Sequence, residues 1–335
     1  MTDSPRYSII VPVYNRSDEV ADLLRSLASQ TEKDFETIIV EDGSPLPCRE
    51  VVEELGPAAN ARYIFRPNEG RSYARNAGIE QARGRYLVFF DSDCVIPPTY
   101  FATVSRELDA HPLDCYGGPD AACESFTSVQ RAISFAMTSM LTTGGIRGRR
   151  KSMEKFTPRS FNMGFSSAVA AKVGGFREMF SEDIDISTRI AHEGFSIGLI
   201  PEAEVWHKRR VDFAKFFRQV HVFGMSRITL HLLYPGSLKL VHALPAIAVV
   251  MGALMLLLAI FVSPWWLAPF AVYAIALWVD AWRSTRSLRI ACLAIPASVV
   301  QIVGYGTGFI RAFTRNILLG RGRDLESEIA MRRGK

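Results

Sequence analysis

Apolar residues change their spacing along this chain, and the changes divide it. Short runs of branched and aromatic residues at Ser8–Val13, Phe35–Val40, Ala61–Phe65 and Arg85–Phe90 are bounded by Gly, Pro, Asn and Asp, the pattern of buried strands. Between them apolar residues recur three and four apart, as at Val20, Leu23, Leu24 and Leu27. That spacing predicts a helix over Asp18–Ser29, with others near Cys48–Leu55 and from Gly70 to Ala82. Strand and helix in alternation argue an α/β domain with a parallel sheet and right-handed crossovers.

Beyond about Leu232 the interspersed charges disappear. Val241–Val262, Pro264–Val279 and Ile290–Ile310 contain no Asp, Glu, Lys or Arg. At about 1.5 Å per residue the first and third are long enough for a hydrocarbon layer of about 30 Å, and the second is so with its flanks. Trp265 and Trp266 stand where an interfacial aromatic belt would lie. Phe213–Leu233 mixes aromatic and basic residues, which predicts one or two amphipathic helices in the membrane interface. The expected organisation is a catalytic domain over 1–210, interfacial helices over 211–236, about three hydrophobic helices over 237–313 and a basic tail over 314–335.

Composition adds location. Met1–Arg6 is polar and Tyr7–Val13 is too short for a signal-peptide core, so the soluble part is expected in the cytosol, on a multi-pass protein of the inner (cytoplasmic) membrane. The five cysteines form no C-x-x-C pair, which fits reduced bystander thiols. The net charge of +5 is concentrated in Arg147–Arg159 and Lys208–Arg218, suited to anionic lipid. No nucleic-acid module accompanies it, so nucleic acid is not expected as a partner. The basic loop Arg283–Arg286 fits a cytosolic return after the second span, but three full crossings would put the tail from Arg311 to Lys335 outside, against the positive-inside rule. Pro296, Gly304, Gly306 and Gly308 leave room for a broken third helix.

The chemistry begins at Asp91-Ser92-Asp93, two carboxylates one residue apart where a buried strand ends. Ligands of open α/β sheets bind beyond the carboxyl ends of the strands, and Mg²⁺ or Mn²⁺ favours such oxygen donors together with substrate phosphates. A dinucleotide fold would need G-x-G-x-x-G after the first strand, where this chain has Pro12-Val13-Tyr14-Asn15-Arg16, and no P-loop is present.

Five strings in order, Val11–Asn15, Val40–Ser44, Asn68-Glu69-Gly70 with Ala74-Arg75-Asn76, Asp91–Asp93 and Ser181–Asp185, make the chain resemble the family 2 glycosyltransferases over residues 7 to about 210. The resemblance implies a GT-A nucleotide-diphospho-sugar transferase domain, a Rossmann-like mixed sheet, followed here by C-terminal transmembrane helices. It implies a nucleotide-diphosphate sugar donor, a UDP-sugar first, held by Pro12, Tyr14, Asn15, Asp42, Arg75, Asp91 and Asn162. It implies Mg²⁺ or Mn²⁺ at Asp93, with His207 as a further candidate ligand, and Asp183 as the general base of an inverting transfer with Glu182 beside it. The acceptor would be lipid-linked or an envelope glycan, reached through membrane lipid. The Q-x-x-R-W signature of processive synthases is missing from Arg218–Arg227, which argues against a self-made channel. A polyprenyl-phosphate sugar transferase is the alternative among enzymes, and a non-catalytic sugar-nucleotide binder the alternative outside them.

Overall fold

The computed structural model describes residues 4–121, 126–144, 156–207 and 212–322. Two compact units emerge, one from Met1–Cys123 with Lys155–Lys208, the other from Glu124–Glu154 with Arg209–Lys335. Residues 124–154, inside the span read from sequence as catalytic, therefore group with the C-terminal helices.

The first unit runs β1 (Tyr7–Val13), α1 (Ser17–Ala28), β2 (Phe35–Asp42), α2 (Arg49–Leu55), β3 (Ala61–Arg66), α3 (Arg71–Gln81), β4 (Tyr86–Phe89), β5 (Cys94–Val95), α4 (Tyr100–Ala110), β6 (Cys115–Gly117) and β7 (Asp120–Ala121). The second unit supplies α5 (Ser128–Thr138) and α6 (Met140–Thr143), after which the first resumes with β8 (Met163–Ser166), α7 (Ser167–Val173), α8 (Glu182–His192), β9 (Ile197–Leu199) and β10 (Val205–His207).

A seven-stranded sheet has the order β3-β2-β1-β4-β8-β6-β9. Its first four strands are parallel, as the alternation predicts, but β8 runs antiparallel to both β4 and β6. The sheet is therefore mixed. Burial explains the apolar runs: β2 is buried along its whole length, and Val20, Leu23, Leu24 and Leu27 are the buried face of α1. One charge in the sheet is deliberately placed. Glu36, 1% exposed, accepts Ser8 Oγ at 2.7 Å, the Arg83 amide at 2.8 Å and Arg83 Nη2 at 2.8 Å, so its burial is compensated by donors.

A second sheet, β5-β10-β7, lies beyond the end of β4. Strand β9 stops at Leu199 and β10 begins at Val205, with Pro201 in the turn between them.

The second unit continues with α9 (Phe213–Leu233), α10 (Leu240–Phe261), α11 (Ala268–Thr285) and α12 (Leu288–Ala312). Phe213–Leu233 forms one helix, and α12 passes through Pro296 without a break. Among the described residues three helices are long and apolar enough to cross a membrane: Leu240–Phe261, Pro264–Thr285 and Leu288–Leu318. The basic residues Arg147, Arg149, Arg150, Lys151, Lys155 and Lys208–Arg210, Cys123 and the tail from 323 lie outside the described residues.

Helices α9 and α12 meet through glycine. A Cβ at Gly224 would lie 2.0 Å from the Tyr305 carbonyl, and one at Gly308 2.0 Å from the His221 carbonyl. Small residues let helix backbones approach this closely. Gly224→Ala and Gly308→Ala should each lower the melting temperature of the detergent-solubilised protein by several degrees, since forced overpacking costs about 1–3 kcal/mol. Gly252→Ala, whose Cβ would meet only Phe270 at 3.6 Å, should leave it unchanged or raise it slightly.

Candidate active site

The candidate residues converge at the carboxyl ends of β1, β2 and β4. Pro12 lies in β1, and Tyr14 just beyond it is 49% exposed, open to a ligand ring. Asn15 takes a left-handed conformation, φ 55°, and its amide donates to Ser44 Oγ at 2.6 Å. Ser44 in turn donates to the wholly buried Glu41, which also accepts the Cys48 amide at 2.7 Å. The loops after β1 and β2 are thereby tied together.

Asp42, 6% exposed, closes β2. Its carboxylate accepts the Glu69 amide at 3.0 Å and the Gly70 amide at 3.1 Å, so it anchors the loop that leads into α3. An ionised carboxylate offers about four lone-pair sites, and two of them are used here. Gly43 makes this approach feasible. Its φ is +67° and a Cβ there would lie 2.4 Å from the Asn68 nitrogen.

Arg75 on α3 is the centre of the cluster. It is 1% exposed, Nη2 donates to Asp91 Oδ1 at 2.7 Å, and Nη1 donates to Glu182 Oε1 at 2.9 Å. The Phe176 ring lies 5.3 Å from the guanidinium. Burial works against the charge, but the Asp91 and Glu182 carboxylates outweigh it and raise the Arg75 pKa. One buried fork thus links the end of β4 to the start of α8.

Glu182 is 3% exposed and takes a second arginine, Arg71, at 2.7 Å. Burial pushes its carboxyl up, opposed by Arg75 and Arg71. Both carboxylate oxygens are engaged by arginines. Its neighbour Asp183 is placed differently. The Asp183 side chain is 16% exposed and faces Arg159 Nη1 at 3.5 Å. Asp185 is fully buried between Arg177 at 3.1 Å and Arg189 at 2.9 Å, a structural position on α8.

Asp91 and Asp93 occupy the short turn from β4 to β5, and the Asp91 side chain is 36% exposed. Strand β10 pairs with β5 so that His207 stands opposite Cys94, the residue after Asp93. The His207 side chain lies outside what the structure describes. Among the described residues no group of three His, Cys, Asp or Glu is close enough to hold a metal by itself. Two carboxylates at a strand end still fit a hard divalent cation, which keeps much of its shell for water and substrate phosphates.

Asn162 lies in a buried network closed to solvent. It is wholly buried, its Oδ1 accepts the Tyr100 hydroxyl at 2.6 Å, and its Nδ2 donates to the Ala203 carbonyl at 2.8 Å. Supporting residues surround the cluster, and of Glu178, Asn76 and Arg159 only Asn76 belongs to a sequence motif. Glu178 accepts the Ser72 amide at 3.0 Å beneath Gly70. Asn76 exchanges two bonds with the Phe176 backbone, at 2.7 and 2.9 Å. Arg159 was legible in the sequence only as one member of a basic cluster, and Glu178 carried no signal at all.

Comparison with known proteins agrees with this architecture. EpsJ of Bacillus subtilis, an uncharacterized glycosyltransferase, is 39% identical over 114 residues, which are 34% of this chain and 33% of EpsJ. The chain thus matches only about a third of that relative's length. Glycosyltransferase AglE of Haloferax volcanii is 26% identical over 252 residues, 72% of this chain and 79% of AglE. A mannosyltransferase from Pyrobaculum calidifontis, solved with GDP-Man and Mn²⁺, shares the fold with a TM-score of 0.57 at 16% identity, covering 94% of this chain and 88% of that one. The description Glycosyl transferase family 2 matches residues 8–180 of the 335, and with a mixed GT-A sheet beneath it, the chain belongs to the family 2 glycosyltransferases.

Proposed function

We propose that this glycosyltransferase moves a sugar from a nucleoside-diphosphate donor to a lipid-linked or envelope glycan acceptor, with inversion at the anomeric carbon. The observation that carries the reading is the Arg75 fork, which fixes the donor-side Asp91 and the Glu182-Asp183 helix start in one cluster. A transfer reaction needs that juxtaposition, because donor phosphates and the acceptor's base must flank the same carbon.

In this reading Pro12, Tyr14, Asn15 and Asp42 line the nucleoside pocket, where the lone pairs left on Asp42 can accept an N–H from a pyrimidine edge. Asp91 reaches the ribose or the cation's water shell. Asp93, with His207 as a candidate second ligand, would hold Mg²⁺ or Mn²⁺, whose chemistry is Lewis-acid stabilisation of the departing diphosphate. The Pyrobaculum mannosyltransferase, with GDP-Man and Mn²⁺, is a precedent for that pairing on this fold.

Asp183 accepts the proton of the acceptor hydroxyl as its oxygen attacks the anomeric carbon and the carbon–oxygen bond to the diphosphate breaks. Its partial exposure suits that task. Glu182 serves as a positioning residue, since Arg71 and Arg75 already occupy its oxygens. Asn162 acts at one remove by holding Tyr100 and the Ala203 backbone. The long apolar helices would keep the acceptor at the bilayer surface.

Asp183→Asn should reduce transfer by about 10²- to 10⁴-fold while leaving nucleotide affinity, measured by calorimetry, within about two-fold. Equal activity in that variant would remove Asp183 from the reaction. Release of nucleoside diphosphate, assayed across UDP- and GDP-sugars with membrane lipid extract, should stop with EDTA and return with Mn²⁺ or Mg²⁺, and Asp93→Ala should abolish that return. Persistent release in EDTA would exclude the cation. A sugar phospholipid as product, in place of a new glycosidic bond, would identify a polyprenyl-phosphate transferase.

A further inference from the structure

Three apolar helices need not mean three crossings. The helix Pro264–Thr285 continues unbroken from the turn after α10, and a Cβ on Gly252 of α10 would touch the Phe270 ring near the helix start. The two helices share a turn whose tip carries Ser263 and the exposed Trp265, and they diverge below it, each packing on α12. Counting from that tip at about 1.5 Å per residue, Ala246 on α10 and Leu277 on α11 lie at nearly the same distance along their helices, about 21–25 Å.

Their partners on α12 are far apart. Ala246 packs in one cluster with Phe309, and Leu277 in another with Ala291 and Ala294. Fifteen residues of helix between Ala294 and Phe309 place those contacts about 22 Å apart. A helix that meets two diverging neighbours equally far from their shared tip, but about 22 Å apart along its own axis at about 1.5 Å for each residue, joins their feet as the base of a triangle. It does not run alongside them.

The surface of α12 agrees. Its exposed positions form one stripe, Leu288, Cys292, Pro296, Val299 and Val303, with Arg289 and Arg311 exposed at the ends. Its other faces pack on α5 and α9, as Ala297 does with Ile133 and Val220. A helix buried on its remaining sides with basic ends and an apolar stripe matches an interfacial element. The hairpin differs: Val241–Val279 holds no charged residue, and only 6% of the α10 window is buried, against 39% for α12.

We propose that the membrane partner surface of this protein is an α10–α11 hairpin that enters the bilayer and returns, with α12 lying flat in the interface across its two feet. The tail after Arg311 then stays on the same side as the catalytic unit, and the positive-inside rule is satisfied. The inference rests on the reading that the apolar helices enter a bilayer.

The test uses the full chain in sealed vesicles with Cys292→Ser and Cys123→Ser, leaving the buried Cys48, Cys94 and Cys115 in place. Single cysteines replace the exposed Glu54 on α2 and Arg321 beyond α12. A membrane-impermeant maleimide should label both from the same side, at least ten-fold above the opposite side, and labelling from opposite sides would overturn the proposal. Spin labels at native Cys292 and at Val303→Cys should report equal depth, whereas a crossing helix would separate them by about 16 Å. Release of the protein by alkaline carbonate would show that the hairpin is not embedded, overturning the membrane reading while leaving the catalytic proposal intact.

Discussion

The acidic cluster of the candidate site is held together by one guanidinium. Arg75 is 1% exposed and bonds Asp91 and Glu182 at once. A lysine would offer a single point charge where a planar fork is needed. Removal of the fork would leave Asp91 without this cation and Glu182 with Arg71 alone, and breaking a buried ion pair by removing one partner costs about 3–5 kcal/mol. The chain around it is arranged to keep it in place: Asn76, one residue on, locks α3 to the Phe176 backbone, and the Phe176 ring lies against the guanidinium. The loops after β1 and β2 are stiffened separately by Ser44, Glu41 and Asp42. Fixed dipoles and charges arranged before substrate arrives need no reorganisation during reaction.

The second unit uses a different physics. Its inner contacts are small residues and close backbones, with Gly224 and Gly308 where α9 meets α12, and Ala246 and Ala281 where the hairpin meets its base. Its outer surface is apolar, with Leu254, Leu257, Ile260 and Phe261 among the exposed side chains. Polar bonds also join its helices. Ser139 donates to Asp280 at 2.9 Å, and the Tyr273 hydroxyl to the Leu141 carbonyl at 2.8 Å; both tie α11 to the neighbourhood of α6.

The parallel half of the sheet was legible because strand and helix alternate there with clear turn residues. The antiparallel β8 was not, because its partners β4 and β6 are set by tertiary pairing that no local period records. At the site, motif residues Asp42, Arg75, Asp91 and Asp183 stood out in the chain, but Arg159, which faces Asp183, and Glu178, which holds the Ser72 amide, did not. A carboxylate that satisfies a backbone amide carries no spacing rule. Hydropathy likewise found α10, α11 and α12 but could not separate them, since it reads length and apolarity and is blind to which faces meet other helices.

The excursion of the chain into the second unit between Cys123 and Lys155 has a practical consequence. Helix α5 buries Ala132, Ile133, Ala136 and Met137 against Phe216, Val220, Ile290 and Ala297 of the later helices. A fragment cut after the last strand of the catalytic sheet would retain that helix and lose every one of those neighbours, leaving a sticky apolar stripe in the middle of an otherwise soluble enzyme. The catalytic sheet is thus not separable by a single cut. A water-soluble version requires two edits, removal of the C-terminal helices and replacement of the 124–154 excursion by a short polar loop.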